Sequence, residues 1–245
     1  MTEPFWETRR ILVVRGGSHA YGLATPTSDL DLRAVCVPPR SVLLGIERFE
    51  QHTHPERDEI TWSLARFAAL ALSGDLSLVE LLFTAPEDVL LETPWGARLR
   101  AAGGLFLTRR LVERTLSWAE GQLRTLERHR ERHAQGPRPE RNPARAELEA
   151  RFGYDTKAAA LICRRLLVAD ELAREGALRV RRPDAPWLRG VRAGELSHAD
   201  FLAWVAERQA RAQAGLERCA LPAKPDRAAV NALVVELQED YLAQA

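Results

Sequence analysis

The chain has 245 residues, 46% hydrophobic and 28% charged, with a formal net charge of +1. That length allows one large domain or two small ones with a real core. No apolar run nears the ~20 residues of a membrane helix, and three lone cysteines (Cys36, Cys163, Cys219) show neither metal nor redox spacing, so a membrane span and a disulfide scaffold are set aside.

A reducing cytoplasm fits the cysteine usage, and the acidic start MTEPFWETRR leads us to expect no export signal. The small net charge conceals a division: residues 1–97 carry −6, residues 98–192 carry +10 and residues 193–245 carry −3. A basic middle suits an anionic partner, nucleotide or nucleic acid, although solvated helical faces would give the same count. Lys157 and Lys224 are the two lysines among many arginines. A lysine kept in such a chain suits a compact point charge, for example on a phosphate.

In chain order, Ile11–Val14 reads as a buried strand, Ser18–Gly22 as the start of a short helix, and Pro26–Ser28 as a turn. Leu30, Leu32, Ala34 and Cys36 alternate with Asp29, Asp31, Arg33 and Val35, which predicts a strand with an apolar face opposite its carboxylates. Asp58–Trp62 reads as a third strand running into the helix SLARFAALALSG, closed by Gly74. SLVE (Ser77–Glu80) reads as a capping box opening another helix, which ends near Phe83.

From Thr108 the periodicity is helical. Leu111, Leu116, Trp118, Leu123 and Leu126 stripe one long helix, which is expected to dissolve into the exposed loop RHRERHAQGPRPERNP. A second helical region runs from Ala144 past Leu172 with a break at Gly153, and Phe201–Leu216 and Ala228–Leu242 follow. The fold class is α+β: an α/β domain over 1–100 with a short mixed sheet, then an all-α domain over 101–245, basic in 101–192. The six tryptophans read as core. Tyr21 and Tyr154 read as packing aromatics. Of the adjacent Arg164 and Arg165, one reads as solvated.

Two features carry chemistry. Gly17-Ser18 at a strand-to-helix turn forms a small anion cradle, where glycine admits the ligand and free amides attract phosphate. Asp29 and Asp31 put two carboxylates on one strand face, a set suited to hard Mg²⁺ and to phosphoryl displacement over two ions.

GSHAYGLATPTSDLDLR (Gly17–Arg33) resembles the signature of the DNA polymerase β superfamily of nucleotidyltransferases, closest to the RNA-repair-associated, RlaP-like group. LSLVELLF, GYDTKAAALICRRLL (Gly153–Leu167), RVRRPDAPWLRGVRAGELS and LPAKPD extend the likeness in order over nearly the whole chain. The resemblance implies a polymerase-β-type catalytic domain followed by helices, with Asp29, Asp31 and a third carboxylate holding two Mg²⁺ ions. It also implies an NTP, ATP foremost, on Gly17 and Ser18. Lys157 and Arg164 match family positions and are read as phosphate or substrate contacts, with Asp155 orienting one of them. Ala158 and Leu161 stand where the family pattern usually has histidines, which bears on substrate choice.

For the third carboxylate, alignment with the family selects Asp58. Strand parity selects Glu59, because Ile60 and Trp62 make the apolar face. Bulges at strand ends reset parity, so Asp58 is preferred and Glu59 stays open. The expected activity is transfer of a nucleoside monophosphate from an NTP to a hydroxyl on an RNA end. Transfer to a protein side chain, or a non-catalytic nucleotide- or RNA-binding adaptor, are the alternatives. The expected partners are an NTP and RNA, with no membrane.

Overall fold

The computed structural model describes residues 3–26, 28–133, 136 and 142–244. Thr27 of the expected turn and seven residues of the expected arginine-rich loop, 134, 135 and 137–141, lie outside them. In chain order the elements are α1 (Phe5–Thr8), β1 (Arg10–Arg15), α2 (Gly17–Ala20), β2 (Leu32–Cys36), α3 (Arg40–Leu44), β3 (Gln51–Thr53) and β4 (Glu59–Ser63). Then come α4 (Leu64–Leu72), α5 (Leu76–Leu82), β5 (Val89–Glu92), α6 (Pro94–Ala101) and α7 (Arg109–His133). α8 (Pro143–Phe152), α9 (Thr156–Glu175), α10 (Ala185–Arg192), α11 (His198–Glu217) and α12 (Arg227–Gln244) complete the chain. It is an α+β protein with a five-stranded mixed sheet.

These elements gather into two compact units. The first comprises Met1–Leu111, Arg179–Arg182 and Pro222–Ala245; the second comprises Val112–Leu178 and Pro183–Leu221.

In the first unit the sheet order is β3-β4-β2-β1-β5, with β2 and β4 parallel and the other neighbours antiparallel. Ile11–Val14 are all buried, as are Ala34, Val35 and Cys36. These strands are covered on both faces, so they read as continuous apolar runs rather than alternating ones. That is why the period-two pattern expected over Leu30–Cys36 fails: Leu30 is exposed, the strand opens only at Leu32, and Val35 is as buried as Ala34. The short edge strands are not legible in the sequence: β3 (QHT) has no apolar residue, and β5 offers only the three-residue run Val89–Leu91.

Ser63 caps α4, its Oγ accepting from the Arg66 amide at 3.2 Å, and Gly74 (φ +89°) turns the chain beyond its end. α5 is capped differently from the SLVE reading. Asp75 is its N-cap, accepting from the Ser77 amide at 2.9 Å, and Glu80 is buried. The expected capping box places the cap two residues too late, because Asp75 already satisfies the first free amide.

A cut near residue 100 would assign α12 to a C-terminal domain. Here α12 packs on α4 and α6 of the first unit. Arg98 pairs with Glu236 and Asp240, the latter at 2.5 Å, and the Trp95 and Tyr241 rings meet edge-on at 4.8 Å.

The second unit is built around α9, on which α8, α10 and α11 pack. Gly153 (φ +78°) breaks α8 from α9 as expected. α7 continues through His133, so Arg128–His133 are helical rather than loop. Among the tryptophans, Trp62 alone is buried, and the rest are partly or openly exposed, which corrects their reading as core.

Candidate active site

β1 ends at Arg15, and Gly16 is extended, its amide donating to the Asp31 carbonyl at 2.8 Å. Gly17 follows with φ +55°, a left-handed conformation that glycine adopts without strain. A Cβ on Gly17 would collide with the Asp31 carboxylate, and one on Gly16 would press on the Arg33 side chain at 3.1 Å. The glycine pair is therefore required by what lies on it. Gly16, not Ser18, is the N-cap of α2, and Ser18 sits half-buried inside that one-turn helix.

Asp29 and Asp31 lie on the extended segment that enters β2 rather than in the strand itself. β2 and β4 run parallel with Arg33 opposite Ile60. Two residues back from each partner stand Asp31 and Asp58, which the pleat places on the same side of the sheet. Arg33 ties the two together, donating from Nη2 to Asp31 at 3.2 Å and from Nη1 to Asp58 at 2.9 Å.

Glu59 faces the other way. It is buried, receives a hydrogen bond from Arg10 and lies 3.7 Å from the Arg57 guanidinium. Arg10 also donates to Thr61 at 3.2 Å, so the buried Glu59 serves as the counter-charge of a part-buried arginine. Strand parity points to Glu59 when Ile60 and Trp62 are taken as the apolar side, but the register puts Asp58 and Ile60 on the Arg33 side.

Burial, hydrogen bonding to Asp58 and the charges of Asp58 and Asp29 push the Asp31 carboxyl up to about 6, with Arg33 pulling the other way. The hydrogen bond with Asp31 and the Arg33 guanidinium hold Asp58 below the ordinary carboxylate range. Asp29 is exposed at the entrance and acts on Asp31 through charge. The result is a partly desolvated place with more negative charge than Arg33 neutralises.

Among the described residues no three His, Cys, Asp or Glu side chains form a ready-made metal cluster. The Asp31–Asp58 pair offers hard oxygen donors only. This fits Mg²⁺, which keeps several waters and uses one or two carboxylates with substrate phosphates.

Beside the glycine pair opens a cavity of about 130 Å³, lined among others by Arg15, Gly17, Tyr21, Arg33, Ser77 and Glu80. Tyr21 donates to the buried Glu80 carboxylate at 3.0 Å across it. Tyr21 is thus more than a packing aromatic.

Asp155, Lys157 and Arg164 belong to the helical unit. Asp155 caps α9, accepting from the Ala158 amide at 2.9 Å, and binds Arg145 at 2.7 and 3.0 Å. Lys157 is exposed on the first turn of α9, and Arg164 is fully buried (0% exposed). Arg165 lies over the Trp118 ring at 4.1 Å, so neither of the adjacent arginines is simply solvated. Ala158 is half-buried and Leu161 exposed. Tyr154 is buried, donating to the Leu196 carbonyl at 2.6 Å.

Arg33 and Glu80 were missed as site residues. Arg33 had a signal, since it stands two residues after Asp31 with the same strand parity. Glu80 was disguised by the capping-box pattern.

Residues 6–183, which hold every residue of this site, match the RlaP family, described as an RNA repair pathway DNA polymerase beta family. The chain belongs to that family. An 85-residue stretch is 34% identical to an enterobacteria phage T4 protein, described as an uncharacterized 38.9 kDa protein of the nrdC-mobD intergenic region. That match covers 30% of this chain and 25% of the phage protein, so the chain spans about a quarter of that relative's length. No solved structure matches the chain. Among the described residues no helix is long and apolar enough to cross a membrane.

Proposed function

We propose that this member of the RlaP family transfers a nucleoside monophosphate from an NTP, ATP foremost, to a hydroxyl on an RNA end, releasing pyrophosphate. The observation that carries the reading is the Arg33-tethered pair of Asp31 and Asp58, set against Gly17 beside a cavity that Arg15 and Arg33 help to line. Family membership supplies the class, polymerase-β-type nucleotidyl transfer in RNA repair.

The residues divide the work by position. The cavity beside Gly16 and Gly17 receives the triphosphate tail, with Arg15 and Arg33 lining it as cationic walls. Asp31 and Asp58 hold Mg²⁺, with Asp29 at the entrance. The ion, when bound, neutralises phosphate oxygens and makes the attacking hydroxyl more acidic. Asp58 is about half exposed and stays anionic at neutral pH, so it is the carboxylate open to an incoming hydroxyl and its proton. The acceptor oxygen bonds to the α-phosphorus as the bond to the bridging oxygen breaks, and pyrophosphate leaves with that electron pair. Lys157 is assigned a phosphate contact; Arg164, wholly buried, is assigned none.

The test is incubation with labelled NTPs, Mg²⁺ and a mixed RNA pool, followed by gels of both RNA and protein. Label on RNA, lost in Asp31→Asn and in Asp58→Asn, is expected. Label on protein alone would move the acceptor to a side chain. Thermal stabilisation by NTP without any transfer would reduce the chain to a nucleotide-binding adaptor.

A further inference from the structure

We infer that the face carrying Trp187, Trp204, Arg208 and Arg211 in the helical unit is a stacking site for single-stranded RNA. The inference rests on the reading of RNA as acceptor. All four residues lie beyond residues 6–183, where the family match ends, and Trp187 falls within the RVRRPDAPWLRGVRAGELS stretch that resembles the family.

Trp187 of α10 and Trp204 of α11 approach to 4.8 Å between ring centroids, tilted by 33°. Trp187 keeps 37% of its surface in water. One helical turn after Trp204, the Arg208 guanidinium lies 5.1 Å from its ring centroid. A partly exposed indole beside an arginine already stacked on its neighbour can accept a further π-system.

The arginines are held in place from beneath. Asp170 of α9 is buried, and its carboxylate accepts from Arg208 at 3.0 Å and from Arg174 at 2.9 and 3.2 Å, with Arg211 at 3.3 Å. Glu175 lies a further 3.8 Å from Arg174. A buried aspartate needs one guanidinium to be neutralised. This one collects three, fixing Arg208 and Arg211 side by side next to the tryptophans. Each guanidinium has five N–H donors and Asp170 takes one or two of them.

Fixed guanidiniums beside an open aromatic face are the combination by which proteins track a single-stranded backbone and stack its bases. Paired bases do not offer their faces, so a duplex does not satisfy Trp187. The charge excludes an apolar partner helix as the best occupant, because it would strand two guanidiniums in a dry interface.

Fluorescence anisotropy of a short labelled oligoribonucleotide on the full chain tests the site. Trp187→Ala and Arg211→Glu should each weaken single-strand binding roughly tenfold, Trp187→Phe should largely restore it, and a duplex of equal length should bind more weakly than the single strand. Unchanged affinity in both Trp187→Ala and Arg211→Glu, or preference for the duplex, overturns the inference. If Trp187→Ala fails to fold, Arg211→Glu and the comparison with the duplex still decide it. Transfer and binding, measured side by side, separate the two readings. A wild type that transfers label while the surface variants bind RNA normally removes this site and keeps the activity. A wild type that binds single strands through these residues but never transfers keeps the site and removes the activity.

Discussion

Arg33 donates to Asp58 at 2.9 Å from the neighbouring parallel strand, a bond allowed by the register that puts Asp58, not Glu59, on the side of Asp31. Without Arg33 the two carboxylates would repel each other unless a cation took its place. Arg33→Met is therefore expected to lower transfer by about a hundredfold, as loss of positioning does. It should also enlarge the rise in melting temperature that Mg²⁺ produces. A magnesium increment equal to that of the wild type would show that Arg33 does not share the carboxylates' charge.

Asp31 costs the fold stability at neutral pH. Its carboxyl is raised to about 6, so the native state holds the proton more tightly than the unfolded chain does. Its stabilising contribution is present below about pH 4, declines as pH rises, and is gone above about pH 6. Asp58, held low, titrates beneath that window. In Mg²⁺-free buffer Asp31→Asn should melt higher than the wild type at pH 7–8, with the gap closing toward pH 4. Melting curves against pH check this, and a gap independent of pH would contradict it.

Two glycines with positive φ separate strain from collision. At Gly153 a Cβ meets nothing within 4 Å, so Gly153→Ala should cost only the left-handed backbone, about 1 kcal/mol. At Gly17 the same strain adds to collision with the Asp31 carboxylate. Gly17→Ala should cost a few kcal/mol and abolish transfer. Chemical denaturation of both variants, with an activity assay, makes the comparison.

Asp58 and Glu59 should part company under mutation. Glu59→Ala strands the Arg10 guanidinium in a largely buried setting and is expected to cost about 3–5 kcal/mol while activity persists at low temperature. Asp58→Asn should leave the melting temperature near the wild-type value and remove transfer. The reverse pattern would exchange their roles.

Some of this was legible in the chain because it rests on local chemistry. The Ile11–Val14 run, a strand-to-helix turn at Gly17-Ser18, the helix start at Ser63 with its end at Gly74, and the break at Gly153 all depend on neighbours a few residues away. The Asp29–Asp31 pair stood out for the same reason, and with it the family resemblance. The edge strands β3 and β5 did not, because a strand of three or four residues is made by its partner's hydrogen bonds and not by its own side chains. Trp187 was misread as core because helical spacing alone does not say which face meets solvent.

What the sequence determined by itself is the chemistry available: a glycine turn against a short acidic motif, an α+β order of elements, and a helical second half rich in arginine. What only the tertiary structure decided is which side chains meet. The parallel register of β2 on β4 set Asp58, not Glu59, beside Asp31; packing placed α12 on α4 and α6; and Asp170 drew three arginines to one carboxylate. Strand register and helix packing join residues far apart in the chain, and a one-residue slip reverses every side chain on a strand. No local pattern can specify that choice.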